Sequence, residues 1–201
     1  MPAAIAARAW RRALFVIATS QAIAHADNAA CAPEVFRIEP EATRAEFAVD
    51  HFWVTTLHGR FARASGTIVL DSAEHAGSID FIIDADSVDT GWTLRDDFIR
   101  SEHVFDVSRF PEMRFRATRL AFDQSTLVGA SGQLTMHNVT RPVAVRIERM
   151  ECAAEPPEDH RCGVSVVSSI KRSDFGMGLG LPFVGDAVDL SFHLSARRVS
   201  P

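Results

Sequence analysis

The feature that most constrains the fold is a series of segments in which apolar and polar residues alternate one by one. Such alternation gives a β-strand one apolar and one polar face. About eight of these segments follow one another with turns between them, which predicts an all-β sandwich or up-and-down barrel. The apolar positions form five sets: Ala45, Phe47 and Val49; Ile79, Phe81 and Ile83; Met113 and Phe115; Val143, Val145 and Ile147; and Val188, Leu190, Phe192 and Leu194.

The composition bears on what such a barrel would enclose. An eight-stranded barrel can be filled by its own side chains or can hold one small ligand, and alternation alone does not decide between the two. The chain has 14 Phe and 3 Trp but no Tyr. Inward phenylalanines without phenolic hydroxyls make a dry wall, which suits a long hydrocarbon better than a polar metabolite. A solid core of phenylalanines stays open as the alternative.

Residues 1–26 have the three parts of a secretory signal peptide. Arg8, Arg11 and Arg12 form a basic segment, the run ALFVIATSQAIA is apolar, and Ala24-His25-Ala26 is a small-residue cleavage site. The apolar run is shorter than the ~20 residues that span a bilayer. We therefore expect a signal peptide over 1–26, a mature domain over 27–201, and no transmembrane segment after cleavage.

The charge balance limits the choice of partners. The net charge is −5, and removal of the three arginines of residues 1–26 makes it −8. An acidic domain has no electrostatic basis for binding nucleic acid or an anionic membrane surface. The charge does not argue against an apolar ligand.

The three cysteines divide into a candidate pair and a single residue. Cys152 and Cys162 flank a loop with two prolines between two strand-like runs, so we expect them to form a disulfide in an oxidising compartment. Two free thiols are the alternative. The role of Cys31 is left open by the sequence.

The segment from Gly91 to Phe115 interrupts the strand pattern with a short helical stretch. Thr93 is placed to cap the first turn, with Asp96 three residues later in the position of a capping-box acid. One helical face is apolar and would lie against the barrel as a lid or plug. That face is formed by Leu94, Phe98 and Ile99.

The same segment resembles the signature of the YceI-like family of polyisoprenoid-binding proteins. Three more stretches agree in order: HGRF and SGTIVLD within 58–71, HNVTRPV at 137–143, and RSDFGMG at 172–178. The resemblance covers about residues 34–197. Within the signature the matching residues are Arg95, Asp96, Arg100, Ser101, Phe105, Asp106, Pro111 and Phe115.

The resemblance implies an eight-stranded antiparallel, lipocalin-like barrel with one short helix over it. It also implies a periplasmic, non-enzymatic protein that binds, sequesters or transports a prenyl quinone or polyprenyl lipid. For Arg95 and Asp96 it implies a structural role that ties the helix to the barrel. Strand faces, helix and glycine-rich segment together give the expected ligand-binding set: Phe47, Val49, Phe81, Phe98, Ile99, Phe115, Val145, Phe175, Met177, Leu190 and Phe192.

Other kinds of site have little support in the sequence. The eight histidines show no metal-ligand spacing, and no G-x-S-x-G nucleophile elbow is present. We expect no metal, no cofactor and no catalytic residue. An enzyme acting on a lipid-like substrate and a filled-barrel stress-response or structural protein remain as alternatives. The sequence leaves the oligomeric state open, a homodimer included.

Overall fold

The computed structural model describes residues 33–153 and 160–199. Its strands and its one α-helix follow the alternating segments and the helical stretch. The strands are β1 (Glu34–Ile38), β2 (Arg44–His51), β3 (Thr55–Phe61), β4 (Ala64–Asp71), β5 (Ala76–Asp84), β6 (Val88–Asp89), β7 (Glu112–Asp123), β8 (Thr126–Met136), β9 (Val139–Ala153), β10 (Arg161–Lys171) and β11 (Val184–Val199), and the helix α1 spans Thr93–Arg100.

The strands form a closed antiparallel barrel with eight strand positions. The pairs β1/β2, β3/β4 and β5/β6 each occupy one position, because each is a single interrupted strand. A 3₁₀ turn at Pro40–Ala42, for example, separates β1 from β2. Of these two, β2 pairs with the first part of β11 and β1 with its last residues, and these pairings close the barrel. The predicted eight-stranded barrel is confirmed.

Because the strands run alternately up and down, their connections lie at two ends. One end carries the β2–β3 turn, segment 90–111 with α1, and segment 172–183, and we call it the helix end. The opposite end carries the β7–β8 turn and the β9–β10 hairpin, and we call it the disulfide end. Among the described residues, no helix is long and apolar enough to cross a membrane.

The predicted disulfide is present. Cys152 and Cys162 lie directly opposite each other in the β9–β10 register, with their Cα atoms 4.0 Å apart, and their sulfurs are bonded. The proline-containing residues 154–159 of this hairpin, Cys31 and the expected signal peptide at 1–26 lie outside the described residues.

The helix begins where expected, but the predicted cap is wrong. Trp92 is the N-cap residue and its side chain makes no capping hydrogen bond, while Thr93 is already inside the helix. The buried Asp96 carboxylate accepts hydrogen bonds from the backbone N–H (2.9 Å) and the hydroxyl of Thr90. Arg95 donates to the same hydroxyl and to the Thr90 carbonyl, both at 2.7 Å. Arg95 and Asp96 therefore connect α1 by hydrogen bonds to Thr90, the residue that follows β6.

Candidate ligand-binding cavity

A cavity of about 530 Å³ lies inside the barrel. It extends from Phe98 and Leu179 at the helix end to Cys162 and Ala196 near the disulfide end. Its volume lies in the range of small-molecule sites, which is about 300–1,000 Å³. The barrel is therefore hollow, and this finding argues against the filled-barrel alternative.

The cavity wall is almost entirely apolar. Leucine, isoleucine, valine, methionine and phenylalanine side chains from the strands cover most of it, as the alternating pattern requires. The few polar residues of the lining are Glu46, His51, Arg95, Ser168 and Arg172. His51, Arg95 and Arg172 belong to the helix end, so the chemistry changes from apolar to mixed along the length of the cavity.

Ten of the eleven residues in the expected ligand-binding set lie on the wall of this one cavity. The strand residues point inward as the alternation indicates, and Phe98 and Ile99 cover the cavity from α1. These ten are Phe47, Val49, Phe81, Phe98, Ile99, Phe115, Val145, Met177, Leu190 and Phe192.

Phe175 is the exception and corrects the expected set. It ends the 3₁₀ turn Arg172–Phe175, and its side chain is 1% exposed within the hydrophobic core rather than on the cavity wall. Gly176, with φ of 81°, reverses the backbone directly after it, so Met177 reaches the cavity and Phe175 does not.

The expected set omits a strip of wall contributed by β1 and β4. Phe36 and Ile38 alternate in β1, as do Ile68 and Leu70 in β4, and all four line the cavity. Apolar and polar residues alternate in both segments as they do in the other strands. The sequence pattern could therefore have identified these four wall residues as well. Phe61 and Phe105 complete the wall near the helix and contact each other edge to face, with ring centroids 5.8 Å apart.

One aromatic pair narrows the interior. Phe81 of β5 and Phe192 of β11 belong to strands that are not adjacent in the barrel. Their ring centroids are 5.6 Å apart in an edge-to-face arrangement, so the contact crosses the lumen. A ligand that runs the full length of the cavity must pass beside this pair or displace it.

No group of three or more His, Cys, Asp or Glu side chains placed to hold a metal ion occurs in residues 33–153 and 160–199. The His51 side chain at the helix end lies against the ring of Phe52, with centroids 4.4 Å apart.

A comparison with protein-family models matches residues 36–196 to the YceI-like domain. The match spans the barrel from β1 to the end of β11. The chain belongs to the YceI-like family.

Individual YceI-like relatives agree with this assignment. A UPF0312 protein of Vibrio campbellii is 27% identical over 191 residues, which cover 94% of this chain and 99% of the relative. The structure of Burkholderia cenocepacia BcnA superposes with a TM-score of 0.64 at 24% identity, over 79% of this chain and 98% of BcnA. A polyisoprenoid binding domain from Saccharophagus degradans, implicated in plant cell wall breakdown, gives a TM-score of 0.64 at 19% identity, over 82% and 98% of the two chains.

Two of the YceI-like sequence stretches, HGRF and RSDFGMG, contribute residues that shape the cavity. In HGRF, Gly59 of β3 lies opposite Phe47 of β2. A Cβ atom at Gly59 would come within 2.3 Å of the Phe47 ring, so only glycine leaves room for that ring on the wall.

In RSDFGMG, the side chain of Arg172 holds the glycine-rich segment in place. Its guanidinium donates hydrogen bonds of 2.6–2.8 Å to the carbonyls of Met177, Leu179, Val184 and Gly185. Burial lowers the pKa of Arg172, while the Asp186 carboxylate opposes this effect. Because arginine stays protonated even so, a partly buried cation orders this loop at the helix end of the cavity.

Proposed function

We propose that this protein binds a polyisoprenoid amphiphile, such as a prenyl quinone or polyprenyl lipid, in the barrel cavity and carries or sequesters it. The observation that carries the proposal is the apolar cavity that extends along the inside of the barrel. A branched hydrocarbon tail fits a wall that is built from aliphatic and phenylalanine side chains.

The driving force for binding is the removal of the tail from water. Burial of apolar surface contributes about 25 cal/mol per Å², or ~0.8 kcal/mol for each CH₂ group. The wall offers few fixed hydrogen-bond partners, so the tail contributes affinity and little head-group selectivity. We expect the head group at the helix end, because the polar residues of the lining there include Arg95 and Arg172.

The family assignment and one solved structure support this ligand class. The Saccharophagus degradans domain is described as polyisoprenoid binding, and it shares the fold of this chain. On this proposal the protein works in the periplasm after cleavage of residues 1–26, and it changes the location of its ligand without chemical reaction.

A matched pair of substitutions on β10 tests the proposal. Val166 lines the cavity, whereas its neighbour Val167 borders a shallow groove on the outer face. Val166→Phe adds bulk inside the cavity and should weaken binding of a prenyl quinone by about tenfold or more. Val167→Phe makes the same chemical change outside and should leave the affinity within about twofold of wild type.

Isothermal titration calorimetry of the purified proteins with a short-chain prenyl quinone measures the affinities of wild type, Val166→Phe and Val167→Phe. Equal affinities for the two variants, or no heat of binding for the wild type, would overturn the proposed function. Thermal unfolding of both variants checks that the barrel is intact.

A further inference from the structure

Three segments at the helix end expose large apolar side chains to solvent. They are the β2–β3 turn at 52–54, residues 92–98 at the start of α1, and residues 179–183, and we call them together the rim. Among them Trp53 is 71% exposed, Val54 80% and Leu94 71%. Large apolar groups scattered singly need no explanation, but a contiguous patch marks an interaction surface.

The rim is ordered by its own contacts and is continuous with the cavity. The ring of Phe183 contacts the rings of Phe52 and Trp53, with centroids 5.7 and 5.9 Å away, and the Phe52 N–H donates to the Phe183 carbonyl. Phe98 and Leu179 belong to the rim and also line the cavity. The exposed apolar side chains of the rim therefore adjoin the cavity at Phe98 and Leu179.

The backbone of the turn presents these side chains at a conformational cost. Phe52 and Trp53 have positive φ angles of 52° and 56°, a region that bulky residues rarely occupy. Strain of this kind is retained where it serves a function. Here it holds two aromatic side chains at the tip of the barrel.

The charged side chains of the rim are confined to α1, where Asp96 is buried, Arg95 bonds to Thr90 and Asp97 pairs with Arg100. Residues 52–57, 90–94 and 176–184 include no Asp, Glu, Lys, Arg or His, in a chain whose residues are 23% charged. Outside Arg95–Asp97 the rim therefore offers no charged side chain to a protein partner that is recognised by ion pairs. Two tryptophans, Trp53 and Trp92, suit the interface of a lipid bilayer, where amphipathic rings partition between headgroups and acyl chains.

We propose that the rim docks on a lipid bilayer and places the cavity opening against the membrane. This inference rests on the proposed function, because an isoprenoid dissolved in a bilayer could then enter the barrel without crossing water. Trp53, Val54 and Leu94 would insert into the interfacial layer. Since this contact is apolar, docking requires no anionic lipid and persists at high salt.

A vesicle experiment tests the inference. Flotation with neutral phosphatidylcholine vesicles compares wild type with a rim variant, Trp53→Ser with Leu94→Ser. The control variant, Val35→Ser with Val128→Ser, removes two exposed valines from β1 and from the start of β8, outside the rim and off the cavity wall. None of these four residues lines the cavity.

We expect the wild type and the control variant to float with the vesicles and the rim variant to bind about tenfold or more weakly. Added salt should not release the wild type. The chain has three tryptophans, Trp10, Trp53 and Trp92, so in a Trp10→Phe background all fluorescence comes from the rim. On vesicle addition this fluorescence should shift to shorter wavelength and be quenched by brominated lipids.

Failure of the inference is distinguishable from failure of the proposed function. Solution titration with a short prenyl quinone should give the rim variant the same affinity as wild type. If wild type binds the quinone but not vesicles, or if the rim variant still floats, the docking inference is wrong. Sedimentation tests whether the rim binds a second copy of the chain instead. If the wild type is a dimer, the rim variant is a monomer and neither binds vesicles, docking on a membrane is again refuted. If no quinone binds at all, the proposed function fails instead.

Discussion

Two buried phenylalanines have different tasks. Phe115 is 9% exposed and lines the cavity, whereas Phe175 is 1% exposed and packs in the core beside it. A phenylalanine on the wall contacts the ligand, and one in the core supports the fold. Burial alone does not separate the two roles, so the position relative to the cavity decides the effect of a substitution.

This difference predicts opposite outcomes for one substitution at two sites. Phe115→Leu should weaken prenyl-quinone binding by about threefold to thirtyfold, because the tail loses a large apolar contact surface. Phe175→Leu should leave the affinity nearly unchanged and lower the free energy of unfolding by about 1 kcal/mol or more, because it leaves a void in the core. Calorimetric titration and thermal unfolding of both variants provide the two numbers. If Phe175→Leu weakened prenyl-quinone binding and Phe115→Leu did not, the cavity wall would have been assigned to the wrong residues.

At the helix end, the ionised carboxylate of Asp186 links two elements of the structure. The backbone N–H of Ser173 donates to its carboxylate at 2.9 Å and the Ser173 hydroxyl at 2.8 Å, and these bonds hold the pKa of Asp186 below its ordinary value of 3.8. They join the start of β11 to the 3₁₀ turn that carries Arg172. A carboxyl group with a lowered pKa stabilises the fold above its ordinary pKa and loses that contribution as the pH falls through the lower, folded value.

Asp186→Asn should therefore have a pH-dependent effect. At neutral pH we expect it to reduce the free energy of unfolding by no more than about 1 kcal/mol, since solvent screens this partly exposed group. Below about pH 4 the difference from wild type should shrink, because the wild-type carboxyl becomes protonated as well. Ser173→Ala removes one of the two donors and should act in the same direction more weakly. Denaturant unfolding of wild type and variant between pH 7 and pH 3 measures the difference in their free energies of unfolding. If this difference grew as the pH fell, the pKa of Asp186 would not be lowered in the folded state.

Among the elements, the β9–β10 hairpin is set apart by its covalent link. Cys152 and Cys162 close a short loop at the disulfide end, and Cys162 also forms the end of the cavity wall. In the chain-entropy account, such a link acts mainly by restricting the unfolded chain. The hairpin therefore contributes to stability at the end of the barrel opposite the helix end, where we propose that a ligand enters.

Replacement of both cysteines by alanine should reduce the free energy of unfolding by about 2–3 kcal/mol. Prenyl-quinone affinity should change by less than about threefold, because the rest of the wall is untouched. Denaturant titration and calorimetry of the double variant test both statements. An affinity loss as large as that of Val166→Phe would mean that the hairpin controls the shape of the cavity.

The elements also show what the sequence could predict. Alternation of side chains placed Phe47, Phe81 and Phe192 on one wall, because the period of two is a direct consequence of strand geometry. It could not place Phe175, since one 3₁₀ turn and a left-handed glycine decide which neighbouring side chain faces the lumen. The cap of α1 was also out of reach, because Asp96 bonds to Thr90 outside the helix instead of to the expected Thr93.

Two larger features lay beyond sequence reasoning for the same physical reason. Alternation is equally compatible with a solid and a hollow barrel, because the volume left inside depends on how facing side chains pack. The rim depends on positive φ angles at Phe52 and Trp53, which no local pattern of bulky residues indicates. Both are properties of the assembled barrel.

At the scale of the whole molecule, the two ends of the barrel differ in chemistry. At the disulfide end β9 and β10 are linked through Cys152 and Cys162, and the helix end carries polar lining residues and the exposed apolar rim. A tail inserted toward the disulfide end and a head group near Arg95 and Arg172 fit this polarity. The molecule can thus shield the apolar part of an amphiphile from water while it leaves the polar part near solvent or membrane.

The most direct test of this account is mass spectrometry of the organic extract of protein purified from its native compartment. We predict that the wild-type protein retains a polyisoprenoid in near-stoichiometric amount and that Val167→Phe retains it equally. We predict that Val166→Phe, with its cavity narrowed, retains little. Wild-type protein that yields no isoprenoid, or a Val166→Phe variant that yields as much as wild type, would contradict the claim that the barrel cavity holds this ligand.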